Sequence, residues 1–240
     1  MRLFAIADFR RLWLAGLMLF VVRGLELLVY GIFAYRHTGS AFVVTMLTLV
    51  RLLPMGLFGA FIGAWAERMQ RRRAMMWMVL GLLAGSAVLA ALAWSGQLRV
   101  WHLFVGAFLN GIGWAMDNPV RRMMLGEVVG APRMSLAMAV DIGTNNASRM
   151  LGPTLGGVLL ASLGIGGCFA LSVVLYLVAL HASLGLAYRN APMQAGGKPV
   201  LARVLEGILL AWRDRRLRGI FAVTILYNLF GRPYTSMVPV

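Results

Sequence analysis

Largely apolar runs recur along this 240-residue chain, and each is about long enough to cross a bilayer as one helix, which takes roughly 20 residues. They fall at 12–35, 41–66, 74–94, 100–116, 136–162 and 168–188, and a seventh starts near 219 and runs to the last residue. Hydrophobic residues make up 60% of the chain and charged ones 13%. A soluble domain holds about 45–50% and about 25%, so the surplus exceeds what one core can hide and must face lipid. The first run is too long for the apolar part of a signal peptide and is followed by no small-residue cleavage site. The chain reads as an all-α integral membrane protein.

The basic residues set the topology. With 23 Lys+Arg against 8 Asp+Glu the formal charge is +15, but the cations sit in clusters between apolar runs with no interleaved aromatics, which excludes a nucleic-acid module. Arg2, Arg10 and Arg11 precede the first run, and Arg68, Arg71, Arg72 and Arg73 follow the second. Arg121, Arg122 and Arg133 follow the fourth, and a further basic group follows the sixth, whereas the alternate connections hold only Arg36 and Arg99. Positive charge retained on one side places the N-terminus in the cytoplasm of a multi-pass protein of the cell's inner membrane. The opposite connections, near 38–40, 95–99 and 163–167, are short, so successive helices are antiparallel neighbours.

Three segments follow from this pattern: a six-helix bundle over 1–189, a linker over 190–218 and a partial seventh helix over 219–240. The linker opens on Pro192, Gly196, Gly197 and Pro199, then places Leu201, Val204, Leu205, Ile208, Leu209 and Trp212 at helical spacing. That predicts an amphipathic helix lying at the cytoplasmic interface. Val238-Pro239-Val240 ends within an apolar stretch without a basic anchor, so the sequence is expected to be a fragment cut inside its seventh helix.

Between helices in lipid, small residues permit close approach. Gly59/Gly63, Gly81/Gly85 and Gly152/Gly156 each supply two glycines one turn apart, and Pro54 and Pro153 are expected to kink their helices. The second cytoplasmic loop, Gly63-Ala64-Trp65-Ala66-Glu67-Arg68-Met69-Gln70-Arg71-Arg72-Arg73, places an acid at a helix end before a basic cluster. It resembles the signature loop of the major facilitator superfamily, with Glu67 in place of the aspartate and Gln70 in place of the turn glycine. Ser148-Arg149-Met150-Leu151-Gly152-Pro153-Thr154-Leu155-Gly156-Gly157 resembles that superfamily's antiporter motif, with Ser148 at its first glycine. The run Asp117-Asn118-Pro119-Val120-Arg121 is similar to the enterobactin-exporter-like branch.

The resemblance covers the whole chain and implies the N-terminal six-helix bundle of a two-bundle transporter plus the start of a seventh span. The partners it implies are lipid, a small-molecule substrate and the second six-helix bundle of the same chain. The implied activity is export of a small amphipathic compound, a drug or siderophore, driven by protons through alternating access. A lipid-translocating or importing member of the superfamily is the nearest alternative; the permease subunit of an ATP-driven transporter and a membrane-embedded enzyme are alternatives of other classes. The superfamily's proton-linked arginine of helix four falls at Ala107, so coupling through it is not expected. Gly63, Glu67, Arg68, Arg71, Arg72 and Asp117 form the implied gate, with Asp117 at the end of helix four pairing with Arg71 or Arg72.

Ionisable residues inside spans are costly and mark candidate sites for protons or substrate. Arg23 and Glu26, three apart in the first run, are expected to touch. Asp141, Asn145, Ser148, Arg149, Gly152 and Gly156 share about 100° of the fifth helix, taking ~100° per residue. That face must avoid lipid, so Asp141 and Arg149 line a cavity or a gate while Gly152, Pro153, Gly156 and Gly157 pack on a neighbour. Arg51 either pairs with Glu26 or faces the outer cavity. One cysteine, Cys168, excludes a disulfide scaffold, and no nucleophile–base pair, phosphate loop, dinucleotide fingerprint or metal-ligand spacing occurs. No enzymatic activity, cofactor or metal site is expected.

Overall fold

A computed structural model describes residues 3–68, 70–188 and 218–219, with the side chains of 58 and 60–68 outside the description. The expected linker helix and seventh span lie outside the described residues, as do the side chains of Gly63, Glu67 and Arg68. After a 3-10 turn at Leu3–Ala5 come six α-helices: α1 (Ala7–Thr38), α2 (Ala41–Arg68), α3 (Arg71–Trp94), α4 (Val100–Val129), α5 (Met134–Ser162) and α6 (Gly164–Leu184). All six belong to one compact unit, Met1–Gln194, and no strand occurs among the described residues.

By length and composition alone, α1, α3 and α6 are apolar enough to cross a membrane. The described side chains of α2 give an apolar stretch of only Ala41–Leu57, and α4 and α5 pass only when taken together across the 112° bend between them. The polar load of α4 and α5 accounts for this: Asn110, Asp117 and Arg121 interrupt one, and Asp141, Asn145, Asn146 and Arg149 the other. Most of these turn toward other helices rather than outward, so the helix-by-helix hydropathy understates how the bundle meets lipid.

Helix ends follow the local chemistry. Gly39 closes α1 with φ 63, a left-handed conformation that costs a Cβ-bearing residue, and its N–H bonds the Tyr35 carbonyl at 2.8 Å. That αL cap is what allows α2 to start two residues later. The last carbonyls of α6, left without partners inside the helix, accept from arginines of other helices. Arg72 Nη2 on α3 donates to the Leu184 carbonyl at 2.6 Å, and Arg11 on α1 donates to that of Gly185. The Ala187 N–H donates to Asp8 Oδ1 at 3.0 Å, so three separate helices meet at this end.

Sequence neighbours are not the main packing partners: α1 packs chiefly on α5 and α6, α2 on α4, and α3 on α6 and α4. Apolar side chains form two clusters along the bundle. One, around Phe9, Leu12, Val79, Met124 and Tyr176, occupies the end bearing the N-terminus. The other, around Leu25, Val29, Leu89, Leu103 and Phe169, occupies the opposite end. The α1–α5 crossing is set by glycine. A Cβ on Gly152 would lie 2.6 Å from the Val21 carbonyl oxygen and 2.8 Å from the Gly24 Cα, and Gly24 in turn meets the Pro153 ring. At the α2–α4 crossing, Gly111 lies against the Arg51 carbonyl and the Pro54 ring. By contrast, Gly59, Gly81 and Gly157 meet nothing within 4 Å, so among the described residues Gly152/Gly156 is the one expected glycine pair with both members against a neighbouring helix.

One boundary differs from expectation. Helix α4 continues through Pro119 to Val129, thirteen residues beyond the expected end of the span at Met116. Its added turns keep a buried face of Val120, Arg121, Met124 and Leu125, which a chain leaving the bundle at Met116 would forfeit. Asp117 is therefore inside a helix rather than at its end.

Candidate functional site

Where lipid or apolar core surrounds a charge, the charge must be paired or hydrogen-bonded to persist. The bundle interior holds three buried carboxylates, Glu26, Asp117 and Asp141, against three guanidiniums: buried Arg51 and Arg121, and Arg23, whose side chain is 18% exposed. Among the described residues the interior is thus charge-balanced, and its polar groups fall into two adjoining constellations.

The first surrounds Glu26 on α1, which is 1% exposed. Asn110 Nδ2 of α4 donates to Glu26 Oε2 at 2.6 Å, the Tyr30 hydroxyl donates to the same oxygen at 3.3 Å, and Ser86 Oγ of α3 donates to Oε1. One carboxylate thereby links α1 to α3 and α4. The expected ion pair of Glu26 with Arg23 does not form: Arg23 turns instead toward α4, where an acid and an aromatic ring are available.

The second is centred on Arg121 of α4, 1% exposed. Its Nε bonds Asp117 Oδ1, one turn earlier, at 2.9 Å, and its Nη1 reaches Asp141 on α5. The guanidinium lies 4.5 Å over the Phe20 ring of α1. Space for it comes from Gly16, where a Cβ would stand 2.9 Å from Nη1. Arg23 Nη2 approaches the other oxygen, Asp117 Oδ2, at 3.5 Å, while its guanidinium lies 5.1 Å from the Trp114 ring centre and 5.5 Å from that of Phe20. Helices α1, α4 and α5 are joined by this one set of charges.

Asp117 accordingly does not pair with Arg71 or Arg72. Its place in mid-helix puts it beside Arg121 and Arg23, and Arg71 instead pairs with Glu127 near the end of α4 and contacts the Tyr188 hydroxyl at 3.3 Å. Arg72 is occupied at the end of α6. Arg51 forms no ion pair among the described residues: its Nη2 donates to the Arg23 carbonyl at 3.3 Å, and its Nε has no partner. On α5 the packed face holds Asp141, Ser148, Gly152 and Gly156, all buried. Arg149, at the margin of the expected polar face, is exposed on this bundle.

Arg121 is the residue that the sequence reading passed over, counted there only as a loop cation. The signal that finds it is its i,i+4 spacing from Asp117 on the side of the helix that also carries Val120 and Met124. Ser86, Asn110, Tyr30 and Trp114 were equally unmarked, because single polar or aromatic residues in a span carry no spacing of their own. Among the described residues no three His, Cys, Asp or Glu side chains converge as metal ligands would.

A family model described as transmembrane secretion effector matches residues 4–240. Among curated proteins, the chain is 24% identical over 209 residues to macrolide efflux protein A of Streptococcus pyogenes, an overlap of 85% of this chain and 51% of that protein. It is 24% identical over 204 residues to the staphyloferrin A transporter of Staphylococcus aureus, covering 84% and 51%. With the multidrug efflux pump Tap of Mycolicibacterium fortuitum it shares 25% identity over 227 residues, covering 90% and 54%. The chain spans about half the length of the curated relatives it matches. The chain is a multi-pass membrane protein and belongs to the transmembrane secretion effector family of the major facilitator superfamily, a family of transporters.

Proposed function

We propose that this bundle is one of two that rock against each other in a secondary active exporter of the inner membrane, with its N-terminus and basic loops in the cytoplasm. The cargo is a small amphipathic compound, of the kind named for the macrolide, multidrug and staphyloferrin relatives. The proton gradient drives export through alternating access.

The observation that carries this reading is Glu26, a carboxylate buried in mid-helix and held by side chains from three helices. A membrane anchor gains nothing from such a group, because each intramembrane charge costs several kcal/mol or about 2.5–3.5 by insertion measurements. Protonation would turn one acceptor oxygen into a donor, so either Ser86 or Asn110 must release or reorient. A proton on α1 would then alter the contact to α3 or α4, which is a bistable element of the sort that alternating access requires. At the basic end, Arg71 with Glu127 and Arg72 with the Leu184 carbonyl tie α3 to α4 and α6, a firm base for a gate on that side.

Reconstituted into proteoliposomes with an imposed pH gradient, the full-length protein should drive efflux of a macrolide such as erythromycin. Glu26→Gln should reduce gradient-driven efflux to the level of empty vesicles while leaving downhill exchange and folding intact. Unchanged gradient-driven efflux in that variant removes Glu26 from the mechanism.

A further inference from the structure

The three interior arginines are not equally neutralised. Arg121 pairs with two carboxylates, Asp117 and Asp141, at close range. Arg23 shares Asp117 with it and approaches at 3.5 Å, longer than the ~2.7–2.9 Å of a firm charge-assisted pair. Arg51, almost wholly buried, forms no ion pair among the described residues and has a Nε without a partner, and it lies directly behind the Arg23 backbone. Two guanidiniums at the α1–α2–α4 junction are therefore held by one shared aspartate and by the field of Glu26. Of the two, Arg23 is the one that is partly exposed.

The setting of Arg23 also selects what it can hold. Its guanidinium carbon lies 5.1 Å from the Trp114 ring centre and 5.5 Å from that of Phe20, within cation–π range of both. A fork-shaped cation beside an indole and a loosely held carboxylate is suited to a carboxylate borne on an aromatic ring, since the ring can pack on Trp114 while the carboxylate meets the guanidinium.

We propose that Arg23, with Trp114 beneath it and Arg51 behind it, is a binding site for an anionic aromatic or amphipathic substrate bearing a carboxylate; this rests on the transporter reading above and names its substrate class.

The test uses the full-length protein in lipid nanodiscs and three calorimetric probes with one ring system: 2-naphthoate, its methyl ester and 2-naphthylmethylammonium. Naphthoate should bind roughly tenfold tighter than the other two, the gain expected of a charge-assisted contact. Arg23→Gln should erase that preference. Equal binding of the three probes, or a preference that survives Arg23→Gln, overturns the site. If Arg23→Gln fails to fold, Trp114→Leu decides: undiminished naphthoate binding overturns the site. Gradient-driven movement of the ester or amine without any anion preference removes this site and leaves the exporter standing. Anion binding without gradient-driven movement of any compound removes the exporter and leaves the site.

Discussion

Arg121→Met is expected to destabilise the bundle by about 3–5 kcal/mol, the usual loss when one member of a buried ion pair is removed. The cause is what remains. Asp117 keeps Arg23, but Asp141 on α5 loses its cation and stays in an apolar setting at 5% exposure. Methionine also leaves the Gly16 notch poorly filled and forfeits the stacking on Phe20. In lipid nanodiscs the thermal midpoint should fall by roughly 10 °C, taking about 2–4 °C per kcal/mol for a unit of this size. Adding Asp141→Asn removes the stranded charge and should recover most of that loss, because the remaining Asp117–Arg23 pair is neutral. A double variant less stable than Arg121→Met alone contradicts the assignment of Arg121 as the partner of Asp141.

Gly152→Val is expected to cost about 3 kcal/mol or more, at or beyond the upper end of overpacking penalties, because what it strikes is backbone. Its new Cβ would meet the Val21 carbonyl, the Gly24 Cα and the Leu25 nitrogen within 3.0 Å, and none of these can swing aside. Gly157→Val lies in the same motif yet meets nothing within 4 Å among the described residues, and it should change stability by less than about 0.5 kcal/mol. The comparison separates two roles that the motif's spelling treats alike. Equal loss in both variants would mean that the α1–α5 contact is not what Gly152 serves.

The helices themselves were legible because bilayer thickness imposes a length that composition reveals. Six helices lie where the apolar runs do, with turns at Gly39 and Ser95–Arg99 as the short connections required. The α4 boundary was not legible: hydropathy ends at Asp117-Asn118-Pro119, and the helix goes on because Arg121, one turn after Asp117, pairs with it and with Asp141 of α5. Site residues were legible as a class but not as partners. Burial cost marks Glu26 and Asp141 in the sequence, while Asp117 is marked there only as a helix-end gate acid, and the choice between Arg23 and Asn110 for Glu26 depends on which helix lies beside α1. Same-helix spacing favoured Arg23, but α3 and α4 offered hydrogen bonds and α4 offered Arg23 an acid and Trp114. Of the α5 face drawn by the wheel, Asp141, Ser148, Gly152 and Gly156 are buried, while Arg149 is exposed on this bundle.

A single-cysteine scan most directly tests whether six membrane-crossing helices carry this charge-balanced interior between two aqueous sides. In the full-length protein with Cys168 and any other native cysteine replaced by serine, cysteines at Ser40 and Gln97 should react with a membrane-impermeant maleimide in intact cells. Cysteines at Arg73 and Arg133 should react only after the membrane is opened. Labelling of Arg73 and Arg133 positions on opposite sides, or of Gln97 only after opening, would contradict the arrangement on which the Glu26 and Arg23 sites depend.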